Sequence, residues 1–247
     1  MRPEDLAEVR HLPLFRDMLK ANFDALMQGA YAQTFPVGLE LIRQGDPADF
    51  LHVVLEGSVE LYADWEDRRC TMAVVHPIST FILAACIKDA PYLMSARTLE
   101  RSRLLLVPAS DLRAVFRRDP EFAVSTITEL AGCYRAVVRH AKSLKLRNSR
   151  ERIAAYLLKQ SRGLGGATRF TLAVEKRLIA SYLGMTPENL SRAIRSLAEL
   201  GVQVKGQQVT ITDMAQLLAF VPPDPLIDGP DPGGATAGVS LPQGVAG

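Results

Sequence analysis

Apolar residues recur along this chain with different periods, and the period changes in blocks. In the first 30 residues, DLAEVRHLPLF and FDALMQGA space them three and four apart, as on one face of a helix. From Tyr31 the pattern shortens. FPVGLELIRQGDPADFLHVVLEGSVELYA alternates or groups β-branched residues, and Gly38, Gly45-Asp46-Pro47 and Glu56-Gly57 punctuate it with turns. CTMAVVHP and SARTLERSRLLLVP continue the strand pattern. Short strands at near-regular spacing predict a small β-barrel or roll, with 51–55 and 58–62 paired as a hairpin about Glu56-Gly57. The interruption STFILAACIKDAPYL is apolar and helix-compatible, with Ser79 or Thr80 expected to cap a short helix through Ile87. A helix start facing a barrel interior is a natural place for a ligand.

Ser110-Asp111 is expected to cap the next helix, DLRAVFRR, which stops before Pro120. A helix over 121–146 follows, roughly 40 Å long at ~1.5 Å per residue. Its residues Ile127, Leu130, Tyr134, Val137, Ala141 and Leu144 alternate spacings of three and four, a heptad seam. A helix packed only on its own domain would carry a wider stripe, so the seam predicts a dimer interface, and Gly132 fits close approach of a partner.

Asn148-Ser149 reads as a hinge or cap. SRERIAAYLLKQSRG is then an amphipathic helix with Ile153, Tyr156, Leu157 and Leu158 inward, and RFTLAV is a strand. KRLIASYLGMTPENLSRAIR reads as two short helices about a tight turn at Gly184. Thr186 caps the second helix and Pro187 takes its first position. Leu190 and Ile194 face inward; Glu188, Asn189, Ser191, Arg192 and Arg195 are left outside. GVQVKGQQVTI is an alternating hairpin with Lys205-Gly206 at its tip, and MAQLLAFV closes the unit. This is a helix-turn-helix with a wing, suited to a DNA major groove. From Pro222 proline, glycine and small residues dominate, and a disordered tail is expected.

The expected fold is therefore α+β: a roll over 1–119 as sensor, a dimerisation helix over 120–147, a winged helix-turn-helix over 148–221 and a tail over 222–247. Composition narrows the classes. MRPEDLAEVRHL is too polar for a signal peptide and no apolar run could span a bilayer, so the cytoplasm is the expected location and no membrane partner is expected. Cys70, Cys86 and Cys133 are too widely spaced for a disulfide framework or a cysteine-only metal site, and no metal ligands are assigned. The net charge of +2 hides an asymmetry: residues 142–221 hold 13 Lys and Arg against 5 Asp and Glu, a balance of +8. A basic block beside an acidic one suits a phosphate-binding module joined to another. Nothing resembles a nucleophile–base pair or a phosphate-binding glycine loop, so an enzyme is not expected.

The order of elements, with LIRQGDPADFLHVVLEGSVELY and TPENLSRAIRSL, resembles the Crp/Fnr family of bacterial transcription regulators over about residues 10 to 220. The resemblance implies a cyclic-nucleotide-binding-like roll (a jelly roll, or double-stranded β-helix) and a homodimer on double-stranded DNA. RNA polymerase is the further partner expected. It also implies readout through a Glu-x-x-Ser-Arg pattern, here Glu188, Ser191 and Arg192, as in the Fnr-like branch, and so a TTGA-like inverted repeat. The chemistry agrees: Arg192 can fork onto guanine, and Glu188 can accept from a cytosine amine. Thr186, Lys205 and Arg195 are assigned to phosphates.

The sensor departs from the family's cyclic-AMP pattern. Ala84 stands where the ribose-binding carboxylate is expected and Met94 where the phosphate-binding arginine is, beside Ser95. A buried cyclic phosphate would go unpaired, which is costly. The pocket, taken as Ile82, Leu83, Ala84, Cys86, Ile87, Met94 and Ser95, should prefer an apolar or weakly charged signal, or be filled by Leu83 and Met94 and sense nothing. Residues 1–30 hold no cysteine, which excludes the iron–sulfur sensor. Haem stays open, since His11, His76, Cys86 and Met94 are types that ligate iron, but none sits in a haem motif. Cys86 in an apolar stretch should be an inert thiol. His52 and His140 read as structural, His140 on the exposed side of the long helix.

Overall fold

A computed structural model describes residues 3–229 and 244–246. The described chain falls into two compact units, residues 3–135 and residues 136–229 with 244–246.

The first unit opens with helices α1 (Pro3–His11), α2 (Pro13–Arg16) and α3 (Lys20–Gly29). Strands β1 (Tyr31–Phe35), β2 (Glu40–Ile42), β3 (Phe50–Glu56), β4 (Val59–Trp65), β5 (Arg68–Val75) and β6 (Ser79–Phe81) follow. Helix α4 (Leu83–Lys88), strands β7 (Ser95–Thr98) and β8 (Ser102–Pro108) and helix α5 (Ala109–Arg118) lead into the long α6 (Pro120–Leu146). The strands make two antiparallel four-stranded sheets, ordered β1-β8-β3-β6 and β2-β7-β4-β5. Leu51, Val53, Leu104, Leu105, Leu112, Phe15 and Phe122 are among its fully buried apolar side chains. Each such burial stabilises by about 1.5–3 kcal/mol.

The expected hairpin at Glu56-Gly57 is not one. Strand β3 pairs with β6 and β8, whereas β4 pairs with β5 and β7, so Gly57 is the corner where the chain passes from one sheet to the other. Gly57 has φ +84°, and a Cβ there would lie 2.4 Å from Ser102 Oγ and 2.7 Å from Ser102 Cα. Ser58 N–H donates to Ser102 Oγ at 3.2 Å, tying the corner to β8. The hairpin is β4–β5, closed at Trp65 opposite Arg68.

Two expected caps also move. Ser79 and Thr80 belong to β6, and α4 begins at Leu83 behind Ile82, a left-handed residue at φ 67°. Helix α5 begins at Ala109, so Ser110 and Asp111 lie inside its first turn and Pro108 at the cap position offers no side-chain acceptor. The cap of α6 is Asp119, whose Oδ1 accepts Phe122 N–H at 3.0 Å. Its Oδ2 accepts Leu19 N–H at 3.0 Å and Asn22 Nδ2–H at 2.9 Å. Burial raises this carboxyl's pKa, but the bonds it accepts outweigh that and hold it low.

The second unit carries the end of α6, then α7 (Ser149–Gly163), β9 (Arg169–Thr171), α8 (Lys176–Tyr182), α9 (Pro187–Ser196) and a 3-10 turn over Leu197–Leu200. Strands β10 (Val202–Lys205) and β11 (Gln208–Ile211) and helix α10 (Met214–Phe220) complete the winged fold. Helix α7 starts with a reciprocal cap: Asn148 Oδ1 accepts Glu151 N–H at 3.0 Å and Glu151 Oε2 accepts Asn148 N–H at 2.8 Å. Ile153, Tyr156, Leu157 and Leu158 are buried as their spacing implies.

The tail lies partly outside the described residues. Its described part is ordered: α11 (Pro225–Asp228) follows α10, and β12 (Val245–Ala246) pairs with β9 in the sheet β10-β11-β9-β12. Composition alone missed this because few apolar residues are involved; the anchors are polar.

Along α6 the seam is only partly free. Ile127, Tyr134 and Val137 are 60%, 70% and 51% exposed, and Val124 and Val138 are exposed with them. Leu130 instead packs on the core of the first unit. Leu144 lies against the helix-turn-helix, 3.1 Å from where a Cβ on Gly184 would sit. Ala141 is half-buried, and Gly132 is buried. His140 was expected on the exposed side but packs inward, its ring 4.4 Å from that of Tyr182. Among the described residues no helix is long and apolar enough to cross a membrane.

Candidate nucleic-acid interface

Helices α8 and α9 meet over Ile179, Ala180, Leu183, Leu190 and Ala193, all buried. Gly184 turns the chain between them at φ +63°. Thr186 Oγ1 accepts Asn189 N–H at 3.2 Å, and Pro187 occupies the first turn, so the start of α9 is fixed locally.

This fixes which side chains point outward. Glu188, Ser191, Arg192 and Arg195 are all exposed and stand at i, i+3, i+4 and i+7, one face of the helix. The Glu188 carboxyl is held below the usual range by its own backbone N–H, then by the Thr186 hydroxyl and the Arg192 charge. It is therefore an ionised acceptor at neutral pH. Arg192 reaches back to Asn189 Oδ1, which places Asn189, half-buried, behind the guanidinium. Ser191 Oγ donates to Pro187 C=O at 2.9 Å, leaving its oxygen lone pairs outward. Arg195 Nε–H donates to Ser191 C=O at 3.4 Å. Ile194 is half-buried. Lys205 ends β10 in the exposed wing, whose tip is Gly206-Gln207, one residue later than expected. The seven residues assigned to DNA thus lie on α9, its cap and the wing.

Residues that pattern reasoning missed hold this head to α6. Arg152 donates from Nη1 to Leu144 C=O at 3.0 Å and from Nη2 to Gly184 C=O at 3.5 Å, reaching both the end of α6 and the turn before α9. Arg150 Nη2 donates to Ser196 C=O at 2.9 Å, and its guanidinium lies 4.8 Å from the centre of the Phe220 ring. Both read in sequence only as basic residues on a helix.

In the first unit, five of the residues assigned to the sensor, Ile82, Leu83, Ala84, Cys86 and Ile87, lie on α4 or at its start, whereas Met94 precedes β7 and Ser95 begins it. Leu83 and Cys86 are buried, and Ile82, Ile87 and Met94 pack partly on the same core. Ala84 is exposed. Ser95 Oγ accepts Gln44 N–H at 2.9 Å. Arg97 is paired with buried Glu60 at 2.7 Å, and Arg113 with Asp89 at 3.1 Å. A cyclic phosphate finds neither a carboxylate for its sugar nor an uncommitted arginine among these residues, so they do not fit that ligand. Burial pushes the Cys86 thiol up to about 12, as expected for an inert thiol. His11 Nδ1 is 2.6 Å from Ala7 C=O, while His76 keeps a buried Nε2 without a partner. Among the described residues, no group of three or more His, Cys, Asp or Glu could hold a metal ion.

Residues 32–119 match the model of the cyclic nucleotide-binding domain, and residues 151–220 that of the Crp-like helix-turn-helix domain. The chain is 24% identical over 210 residues to a CRP-like cAMP-activated global transcriptional regulator of Mycobacterium tuberculosis, covering 83% of this chain and 94% of that one. It is 25% identical over 186 residues to the transcriptional activator protein anr of Pseudomonas aeruginosa, covering 73% and 76%. Among solved structures, a candidate cyclic nucleotide binding protein of Ruegeria pomeroyi shares 30% identity over 91% of this chain and all of its own, with TM-score 0.56. FixK2 of Bradyrhizobium japonicum shares 25% over 79% and 98%, with TM-score 0.67.

Proposed function

The chain belongs to the Crp/Fnr family of transcription regulators, and from that premise we propose that it acts as a homodimer on a TTGA-like inverted repeat. The observation that carries this reading is the outward face of α9, with Glu188, Ser191 and Arg192 exposed on a helix fixed by its own cap. Arg192 forks onto guanine O6 and N7, and ionised Glu188 accepts from a cytosine amine. Thr186, Arg195 and Lys205 hold phosphates, and Asn189 steadies Arg192. The exposed Ile127, Tyr134 and Val137 of α6 pair the two protomers. Two heads must meet half-sites about one DNA turn apart, so a small change in α6 packing suffices to gate binding. As a cytoplasmic regulator it would act with RNA polymerase.

The roll does not take cyclic AMP in this reading. Its α4 region is apolar, and a weakly charged or apolar signal would suit it. One observation favours a second reading, DNA binding with no effector: Leu83 and Met94 already pack on the core. Native mass spectrometry of the purified protein separates the two. A retained small molecule supports the first and its absence the second.

The test of the DNA reading is a gel shift on a TTGA-N-TCAA-type duplex against scrambled DNA at moderate salt. A preference of about a thousandfold or more is expected. Equal affinity for both duplexes would overturn it. Glu188→Ala should relax the sequence preference and leave scrambled binding nearly unchanged.

A further inference from the structure

The described residues beyond α10 return to the joint between α6 and α7. Helix α6 ends at Leu146, α7 begins at Ser149, and Arg147 lies between them. Its guanidinium grips Asp228 with two prongs, Nη1 to Oδ1 at 2.7 Å and Nη2 to Oδ2 at 2.6 Å. Both side chains are only 9% exposed. Asp228 is presented by α11, whose start is capped by Asp224: Oδ1 accepts Leu226 N–H at 2.7 Å. Asp224 N–H in turn donates to Asp228 Oδ2 at 2.9 Å. A second anchor follows along the chain, where Gly244 N–H donates to Gln160 Oε1 on α7 at 2.6 Å and β12 extends the sheet beside β9. The helix-turn-helix match stops at residue 220, so these contacts come from sequence outside the matched module.

The charges make Asp228 more than a surface partner. Lys159 and Arg162 on α7 lie close enough to feel its charge, and Arg139 on α6 acts on Lys159. Lys159 and Arg162 are exposed, and solvent screens their share. What loss of the carboxylate would strand is the buried Arg147 guanidinium, left without its fork and with only the charges of Asp224 and Glu151 acting on it. Arg152 already ties Leu144 and Arg147 carbonyls to the same place, so the joint has two arginine clasps, one of which depends on residues past the wing.

We propose that Asp228 is a positioning residue for DNA recognition: by holding Arg147 it fixes the α6–α7 joint, and with it the setting of α9 relative to the end of α6. In a dimer, that setting decides which half-site spacing both heads can meet at once. The inference deepens the reading of the chain as a dimer on an inverted repeat and rests on it.

The test uses the full chain and the variants Asp228→Asn and Asp228→Glu. Hydrogen exchange at residues 146–150 is measured without DNA, and affinity is measured on inverted repeats with the spacer changed by one base pair, and on scrambled duplex. Asp228→Asn should speed exchange at the joint by about tenfold. It should cut the preference for the best spacer by about threefold, with scrambled DNA bound as well as before. Asp228→Glu keeps the charge and should stay near the parent in both. If Asp228→Asn does not fold, Arg147→Lys, which keeps the charge but loses the fork, is read in the same way. A parent that prefers no repeat over scrambled DNA sinks the dimer reading. A parent that does prefer one, with exchange and spacer preference unchanged in the variant, sinks this inference, as does a Glu variant as damaged as the Asn one.

Discussion

Gly184 and Gly206 both hold positive φ, at 63° and 59°, yet the structure separates their roles. Gly206 has open space around its missing Cβ, whereas at Gly184 a Cβ would meet Leu144 at 3.1 Å. Alanine at either position incurs the left-handed strain, on the order of 1 kcal/mol. Gly184→Ala should lose more than Gly206→Ala in chemical denaturation, because Leu144 must also give way; equal losses would mean that the contact is slack. His52 makes a second test at this scale. It is buried beside Phe81, its Nδ1 has no partner, and burial lowers its pKa to about 4 against a bond to the Phe50 backbone. Between pH 6.5 and 4 the unfolded chain binds the proton and the folded chain does not. Stability from this group is thus complete above about 6.5 and falls by roughly 3 kcal/mol on the way down to 4. His52→Leu should flatten that acid limb in denaturation curves taken across this range. Which single residues were legible depended on distance along the chain. Thr186 caps Asn189 three residues on, and the pattern shows it. Asp228 binds Arg147 from 81 residues away, and no local pattern points to it.

At the scale of elements, the period of apolar residues found nearly every helix and strand, because each period is imposed by one burial face. It could not say which face meets what. The six seam positions of α6 share one spacing, yet Leu130 turns to the core and Leu144 to Gly184, while Ile127, Tyr134 and Val137 stay exposed. A heptad reads a helix as having one partner; this helix has more than one. The distinction is measurable. Tyr134→Glu should shift the chain from dimer to monomer in sedimentation, since it places a charge in the exposed stripe. Leu144→Ala should leave the dimer intact and lower thermal stability, by about 2 kcal/mol for a half-buried leucine. The reverse pattern would move the interface to the other side of α6. Turn residues had the same limit as helix spacing. Glu56-Gly57 announces a reversal, but a hairpin and a corner between two sheets need the same glycine, and only the bonds to Ser102 tell them apart.

On the scale of the whole molecule, charge is divided as function would ask: +8 over residues 142–221 within a total of +2. That division concerns affinity rather than sequence choice, and salt separates the two. Each phosphate contact adds about 0.9 to the slope of log affinity against log salt. Lys205 and Arg195 are assigned to phosphates, and a dimer carries each twice. Lys205→Ala should therefore lower the slope by about 1.8, on TTGA-type and scrambled duplex alike, in anisotropy titrations across moderate salt. Arg195→Ala should do the same. Glu188→Ala removes a base contact and no cation, so its slope should hold while its preference between duplexes shrinks. A drop near 0.9 for Lys205→Ala would mean that one head alone grips DNA. A drop confined to the TTGA-type duplex would mean that Lys205 reads sequence instead of backbone. Because base choice and salt slope move independently, the reading face of α9 and the pairing of protomers through α6 are tested in one set of titrations, and either can fail without the other.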